Sequence, residues 1–141
     1  MTEITLSNET VQFINMATTY TKANIIDCMV EDDRVVFVVE KGQLGIAIGS
    51  KAKNLERLRA LFKKAVKFVE FDEDKKTFIL NLCKPYKIRN VEIKETSDSF
   101  IALIEADPSD KSRLIGKSGK NINLIRKLAQ RHHPIRDVQI I

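Results

Sequence analysis

Ile115-Gly116-Lys117-Ser118-Gly119-Lys120-Asn121-Ile122 is followed by an amphipathic pattern, and the chain carries this stretch twice. Sixty-seven residues earlier stands Ile48-Gly49-Ser50-Lys51-Ala52-Lys53-Asn54-Leu55. Carried on to Leu61 and Leu128, the same offset preserves Ile, Gly, Lys, Asn, Arg and Leu at six positions. It also keeps apolar character at Leu55/Ile122 and Leu58/Ile125. Self-similarity at a fixed spacing marks repeated structural units. Two copies in 141 residues leave about 70 for each unit, a size that buries little core on its own. The expected division is residues 1–72 and 73–141.

Working outward, both copies predict one order of elements. Ser7 can cap a helix running to about Tyr20, with Val11, Ile14 and Ala17 on one face. Residues 25–30 and 35–39 are β-branched and aromatic-rich, and the polar Glu31-Asp32-Asp33-Arg34 between them reads as a hairpin turn. Residues 41–48 form a short helix candidate weakened by Gly42 and Gly45. Residues 53–64 form an amphipathic helix with Leu55, Leu58, Leu61 and Phe62 inward, and 66–71 a closing strand. The second copy predicts a helix over 74–83, strands over 91–94 and 100–106, and a short helix opened by Asp107-Pro108. A helix over 120–131 and a strand over 138–141 complete it. Residues 81–87 read as too short a tether for the two domains to move freely.

Gly116-Lys117-Ser118-Gly119 falls between two helices. Glycine supplies the unusual dihedrals of a tight turn, and its missing Cβ lets a phosphate backbone come close. The following helix N-terminus favours anions, and Lys117 and Lys120 add charge beside it. The first copy departs at one position: Ala52 stands where the second has Gly119, and its methyl is expected to restrict the turn and weaken phosphate binding there. Charge follows the same repeat. Residues 41–71 carry eight bases against two acids, and residues 111–141 carry eight against Asp137 alone. The intervening and leading segments are net acidic, so the overall +5 hides two strongly basic blocks. Such blocks suit polyanionic partners.

Residues 115–122 resemble the Ile-Gly-x-x-Gly signature of KH domains, whose GXXG loop clamps about four nucleotides of backbone. The order of elements resembles the type II, prokaryotic-style KH fold. Two such domains in so short a chain, with Leu44-Gly45-Ile46-Ala47-Ile48-Gly49 before the first loop, resemble the archaeal NusA-like transcription factors, over about Ser7 to Ile141. The resemblance implies an α+β protein of two tandem type II KH domains, each helix-strand-strand-helix-GXXG turn-helix-strand. It implies an RNA-binding elongation or termination factor that captures single-stranded nascent RNA, with RNA polymerase or the transcription complex as a further partner. The expected RNA-binding residues are Gly49, Ser50, Lys51, Ala52, Lys53 and Arg57 in the first copy. In the second they are Gly116, Lys117, Ser118, Gly119, Lys120, Asn121 and Arg126. Arg59 and Lys127 are further phosphate candidates. By the same resemblance, Val39, Ile46, Ile48 and Leu55, and Ile104, Leu114, Ile115 and Ile122, match an apolar groove that seats bases. The rival expectation is a module docking on RNA polymerase, or a ribosome-associated KH protein, through the acidic blocks at 31–33 and 72–74.

Other classes find no support. Gly-Lys-Ser at 116–118 lacks the upstream glycine of a P-loop, because residue 111 is Lys111. No catalytic constellation, cofactor or metal site is expected, and His132-His133 reads as the end of a helix. Cys28 and Cys83 sit in apolar segments without a CxxC, as buried thiols of a reducing compartment do. Residues 1–10 do not read as a signal peptide, and no apolar run reaches membrane-spanning length. A monomeric cytoplasmic protein is the expectation.

Overall fold

The computed structural model describes residues 7–141; part of the N-terminal stretch read above for a signal peptide lies outside the described residues. Contacts divide the chain between Asp72 and Glu73 into two compact units. The first contains α1 (Asn8–Thr21), β1 (Ile25–Val30), β2 (Arg34–Val39), α2 (Leu44–Ile48), α3 (Lys53–Phe62) and β3 (Ala65–Glu70). The second contains α4 (Lys75–Cys83), β4 (Ile88–Glu95), β5 (Phe100–Ala106), α5 (Lys111–Ile115), α6 (Lys120–His132) and β6 (Ile135–Ile140). The expected order of elements is found in both.

Each unit builds one three-stranded sheet, ordered β1-β2-β3 and β4-β5-β6. The first two strands pair antiparallel across a tight turn, and the last pairs parallel to the middle strand. A parallel partner needs a long crossover, and the helix–turn–helix that carries the glycine motif supplies it. The fold therefore places both glycine turns in the middle of a crossover.

Local chemistry sets the element ends. Ser7 Oγ accepts from the Thr10 N–H at 3.1 Å to open α1, and Lys22 closes it in the left-handed region at φ 63°. Asp74 caps α4 in the same way, accepting from the Thr77 N–H at 3.0 Å. In the first unit the sheet packs Phe37 against Phe68, ring centroids 5.5 Å apart, with Ala17, Ala47 and Leu58 fully buried around them. Burying a side chain such as Leu58 contributes about 1.5–3 kcal/mol. Phe78, Ile79, Leu82, Ile104, Leu114, Ile125 and Leu128 are the corresponding buried set of the second unit.

Several expectations are corrected. Val11 is 39% exposed, and the inward side of α1 is Phe13, Ile14, Ala17 and Thr21. Leu61 is 43% exposed, and α3 faces its core with Leu55, Leu58 and Phe62 at helical spacing. Asp107 does not open α5: its carboxylate accepts from the Ser109 N–H and hydroxyl at 3.0 and 2.7 Å, holding a turn, and the helix begins at Lys111. Gly42, at φ 87°, keeps residues 41–43 out of α2. Residues 81–87 are no tether, since they carry α4 into β4 inside the second unit.

Candidate nucleic-acid interface

The two glycine turns have the same backbone. Gly49 and Gly116 end α2 and α5 at φ/ψ of 81°/166° and 80°/168°. Lys51 and Ser118 then take left-handed conformations at 54°/33° and 56°/26°. Ala52 and Gly119 do the same at 57°/28° and 76°/13°. Lys53 and Lys120 return to right-handed helix. The closing bonds match as well: Ala52 N–H to Gly49 O at 3.1 Å and Gly119 N–H to Gly116 O at 3.0 Å. Ala52 thus does not alter the form of the turn. It adopts a conformation that costs an L-residue roughly 1–2 kcal/mol.

The glycines are required to different degrees. A Cβ on Gly116 would stand 2.8 Å from Asn121 N and 2.9 Å from Asn121 Cβ. A Cβ on Gly49 would stand 2.8 Å from Asn54 Nδ2 and 3.1 Å from Asn54 N. A Cβ on Gly119 would meet nothing closer than Asn123 Nδ2 at 3.7 Å. The first glycine is therefore demanded by the asparagine packed on it, whereas the fourth position has room for a methyl.

That asparagine ties the turn to the preceding helix. Asn121 Nδ2 donates to Leu114 O at 2.8 Å, and Asn54 Nδ2 donates to Ile46 O at 3.1 Å. Asn121, expected to face RNA, is 8% exposed. Asn54 was absent from the expected set, although its identity with Asn121 at the repeat offset was the available signal.

Around each turn the cations differ in exposure. Ser50, Lys51, Lys53 and Arg57 are exposed in the first unit, as are Lys117, Ser118, Lys120 and Lys127 in the second; Ala52 and Gly119 are half-buried. Arg59 is exposed and pairs with Glu56 at 3.0 Å. Arg126 is committed elsewhere. Its Nε donates to Asp137 Oδ1 at 2.8 Å, while its terminal nitrogens donate to Asn123 Oδ1 at 2.7 Å and Val138 O at 2.9 Å. Burial pushes the Asp137 carboxyl up, but the bonds from Gln139, the Val138 N–H and Arg126 outweigh it and hold the group below its ordinary range. Of the groove candidates, Val39, Leu114 and Ile104 are wholly buried core and Ile122 is nearly so. Ile46 is 49% exposed, and Ile48, Leu55 and Ile115 are half-buried beside the turns. Among the described residues no helix is long and apolar enough to cross a membrane.

The same division appears in comparisons with known proteins. A model of KH domains matches residues 12–73, and a model of NusA-like second KH domains matches residues 75–139. The chain is 37% identical to the "Probable transcription termination protein NusA" of Halobacterium salinarum, over 97% of this chain and 98% of that one. It is 29% identical to the protein of the same name from Methanocaldococcus jannaschii, over 100% of this chain and 77% of that one. The crystal structure of APE1850 superposes with a TM-score of 0.76 at 26% identity, covering 96% of this chain and 100% of the other. Two KH-type units, one of them NusA-like, and near full-length similarity to archaeal relatives place the chain plainly: it belongs to the archaeal NusA-like family of tandem KH-domain proteins.

Proposed function

We propose that this protein is an RNA-binding transcription factor of elongation or termination, and that it captures single-stranded nascent RNA on its two glycine turns. The observation that carries the reading is the recurrence of one left-handed turn, twice, with exposed lysines at its tip and a helix N-terminus behind it. Phosphate oxygens would meet Lys51 and Lys53 in the first unit and Lys117 and Lys120 in the second. The closing bonds of the second turn draw on the N–H groups of Gly119 and Lys120, so those of Lys117 and Ser118 at the tip are not among them. Asn54, Asn121 and Arg126 act as positioning residues that hold turn and helix in place. The names of the relatives support a role in transcription termination. The mechanism is binding, with no bond made or broken.

The test reverses charge at the tips. Lys117→Asp with Ser118→Asp keeps both glycines and hence the turn. Ser50→Asp with Lys51→Asp is the matched change in the first unit. A charge-assisted contact contributes roughly 1.5–3 kcal/mol, so a loss of about tenfold or more in single-stranded RNA affinity is expected. The second unit should lose more, because Gly119 presents no methyl. If both variants fold and neither loses affinity, RNA does not use these turns, and docking on a protein partner becomes the better reading.

A further inference from the structure

We propose that the two tyrosines of the chain, each stacked with an arginine beside a glycine turn, are base-stacking platforms that lengthen the RNA track beyond the phosphate clamp. This rests on the RNA-binding reading above and adds to it a site that recognises nucleobases.

Tyr20 lies in the last turn of α1 and is 38% exposed, and the Arg57 guanidinium sits over its ring at 5.6 Å from the centroid. Tyr86 follows α4 and is half-buried, and the Arg113 guanidinium sits over its ring at 5.8 Å. Arg57 is one helical turn past Lys53 in α3, and Arg113 is three residues before Gly116 in α5. Each pair thus includes a residue of a helix that flanks a turn. A salt bridge to Asp110 orients Arg113, whose side chain remains 65% exposed.

The two pairs do not descend from the repeat. At the repeat offset, Arg57 corresponds to the buried Leu124 and Arg113 to Ile46; upstream of the hairpins the sheet registers match Ile25 with Ile88, so Tyr20 corresponds to the buried Cys83. The same tyrosine–arginine combination is assembled in each unit from positions that do not match. A further cation over an aromatic ring, Lys75 on Phe100 at 4.3 Å, involves neither flanking helix. Chemically, a tyrosine ring and a guanidinium plane are both surfaces on which an unpaired base stacks, and the guanidinium also attracts the adjoining phosphate. Their partner is therefore an unstacked base of a single strand.

The chain has no tryptophan, so tyrosine emission reports on these two residues alone. The wild-type protein is titrated with oligo(A) and with an abasic oligoribonucleotide of equal length, which keeps the phosphates and lacks the bases. Oligo(A) should quench the emission, whereas the abasic strand should bind without quenching. Tyr20→Leu and Tyr86→Leu should each weaken oligo(A) binding by about tenfold, leave abasic binding unchanged, and make the remaining tyrosine the only reporter. Tyr20→Phe and Tyr86→Phe should keep the affinity, because the ring is retained; circular dichroism confirms folding. Oligo(A) bound without quenching by the wild type overturns the proposal regardless of how any variant folds, and leaves the glycine turns as the binding site. Equal losses for oligo(A) and the abasic strand overturn it too. Failure of the wild type to bind either strand overturns the RNA-binding reading itself and this proposal with it.

Discussion

Replacing Gly116 by alanine, and separately Gly119 by alanine, should give very different losses of stability although the two glycines are three residues apart in one turn. Gly116 sits at φ 80° and ψ 168°, a region almost confined to glycine that costs other residues about 1–3 kcal/mol. Its new Cβ would also press on Asn121 N and Cβ at 2.8 and 2.9 Å. Those atoms belong to the first turn of α6, so the helix start must shift, and overpacking of this kind costs about 1–3 kcal/mol. A more restricted unfolded chain returns about 0.4–1 kcal/mol. The net loss is about 3 kcal/mol. Gly119 sits at φ 76° and ψ 13°, and its Cβ would find only ordinary contacts at 3.7 and 3.8 Å. Here the left-handed strain of roughly 1–2 kcal/mol is partly offset by the same unfolded-state gain, leaving about 1 kcal/mol or less. Urea and thermal melts of the full chain, followed by circular dichroism, measure both. At 4–8 °C per kcal/mol for a domain of this size, Gly116→Ala should lower the melting temperature of the second unit by roughly 15 °C, against about 5 °C for Gly119→Ala. Ala52→Gly in the first unit should be close to neutral for the same reason. Equal losses at Gly116 and Gly119 would refute the argument that asparagine packing is what demands the first glycine.

Asn121→Ala strands the buried Leu114 carbonyl, so it should cost about 1–3 kcal/mol; Asn54→Ala, whose longer bond lies at the surface, should cost less in the same urea series. Arg126→Gln removes the charge and cannot reproduce the three-way bonding to Asp137, Asn123 and Val138. It should lower the stability of the second unit by about 1–3 kcal/mol while leaving the salt slope of RNA binding unchanged; a shallower slope would make Arg126 a phosphate contact instead. Asp74, Asp107 and Asp137 are all held below the ordinary value of 3.8 in the folded chain. A depressed folded value contributes stability that is complete above the unfolded value and lost as pH falls through the folded one. Stability should therefore fall with acidification below about pH 4, and Asp137→Asn should flatten part of that fall in a pH series of urea melts.

Much of the molecule was legible because it is governed locally. The repeat located both turns, and the capping residue Ser7, the hairpin at 31–34 and the strand-forming runs set the order of elements. Glycine at the first turn position follows from a dihedral that other side chains rarely adopt. Where the reading slipped, the deciding neighbour was distant or the geometry was helical phase. Val11 and Leu61 are apolar and at plausible spacing, yet both stay exposed, while Phe13 and the expected Phe62 pack inward with their rings 4.8 Å apart.

The fates of Arg59 and Arg126 show the limit most clearly. They are the same residue at the same position of the repeat, and three residues earlier the first has Glu56 where the second has Asn123. By strand register, Asp137 of β6 stands opposite Ile101, where the first unit has Ala65 opposite Arg34. In the second unit the fold brings that carboxylate to the α6 arginine and binds it, while in the first Arg59 stays at the surface with Glu56. Sequence by itself determined that two basic turns exist and their order in the chain, because these depend on residues a few positions apart. Tertiary structure alone decided that Arg126 is bound within the fold, because the carboxylate that holds it arrives from another strand.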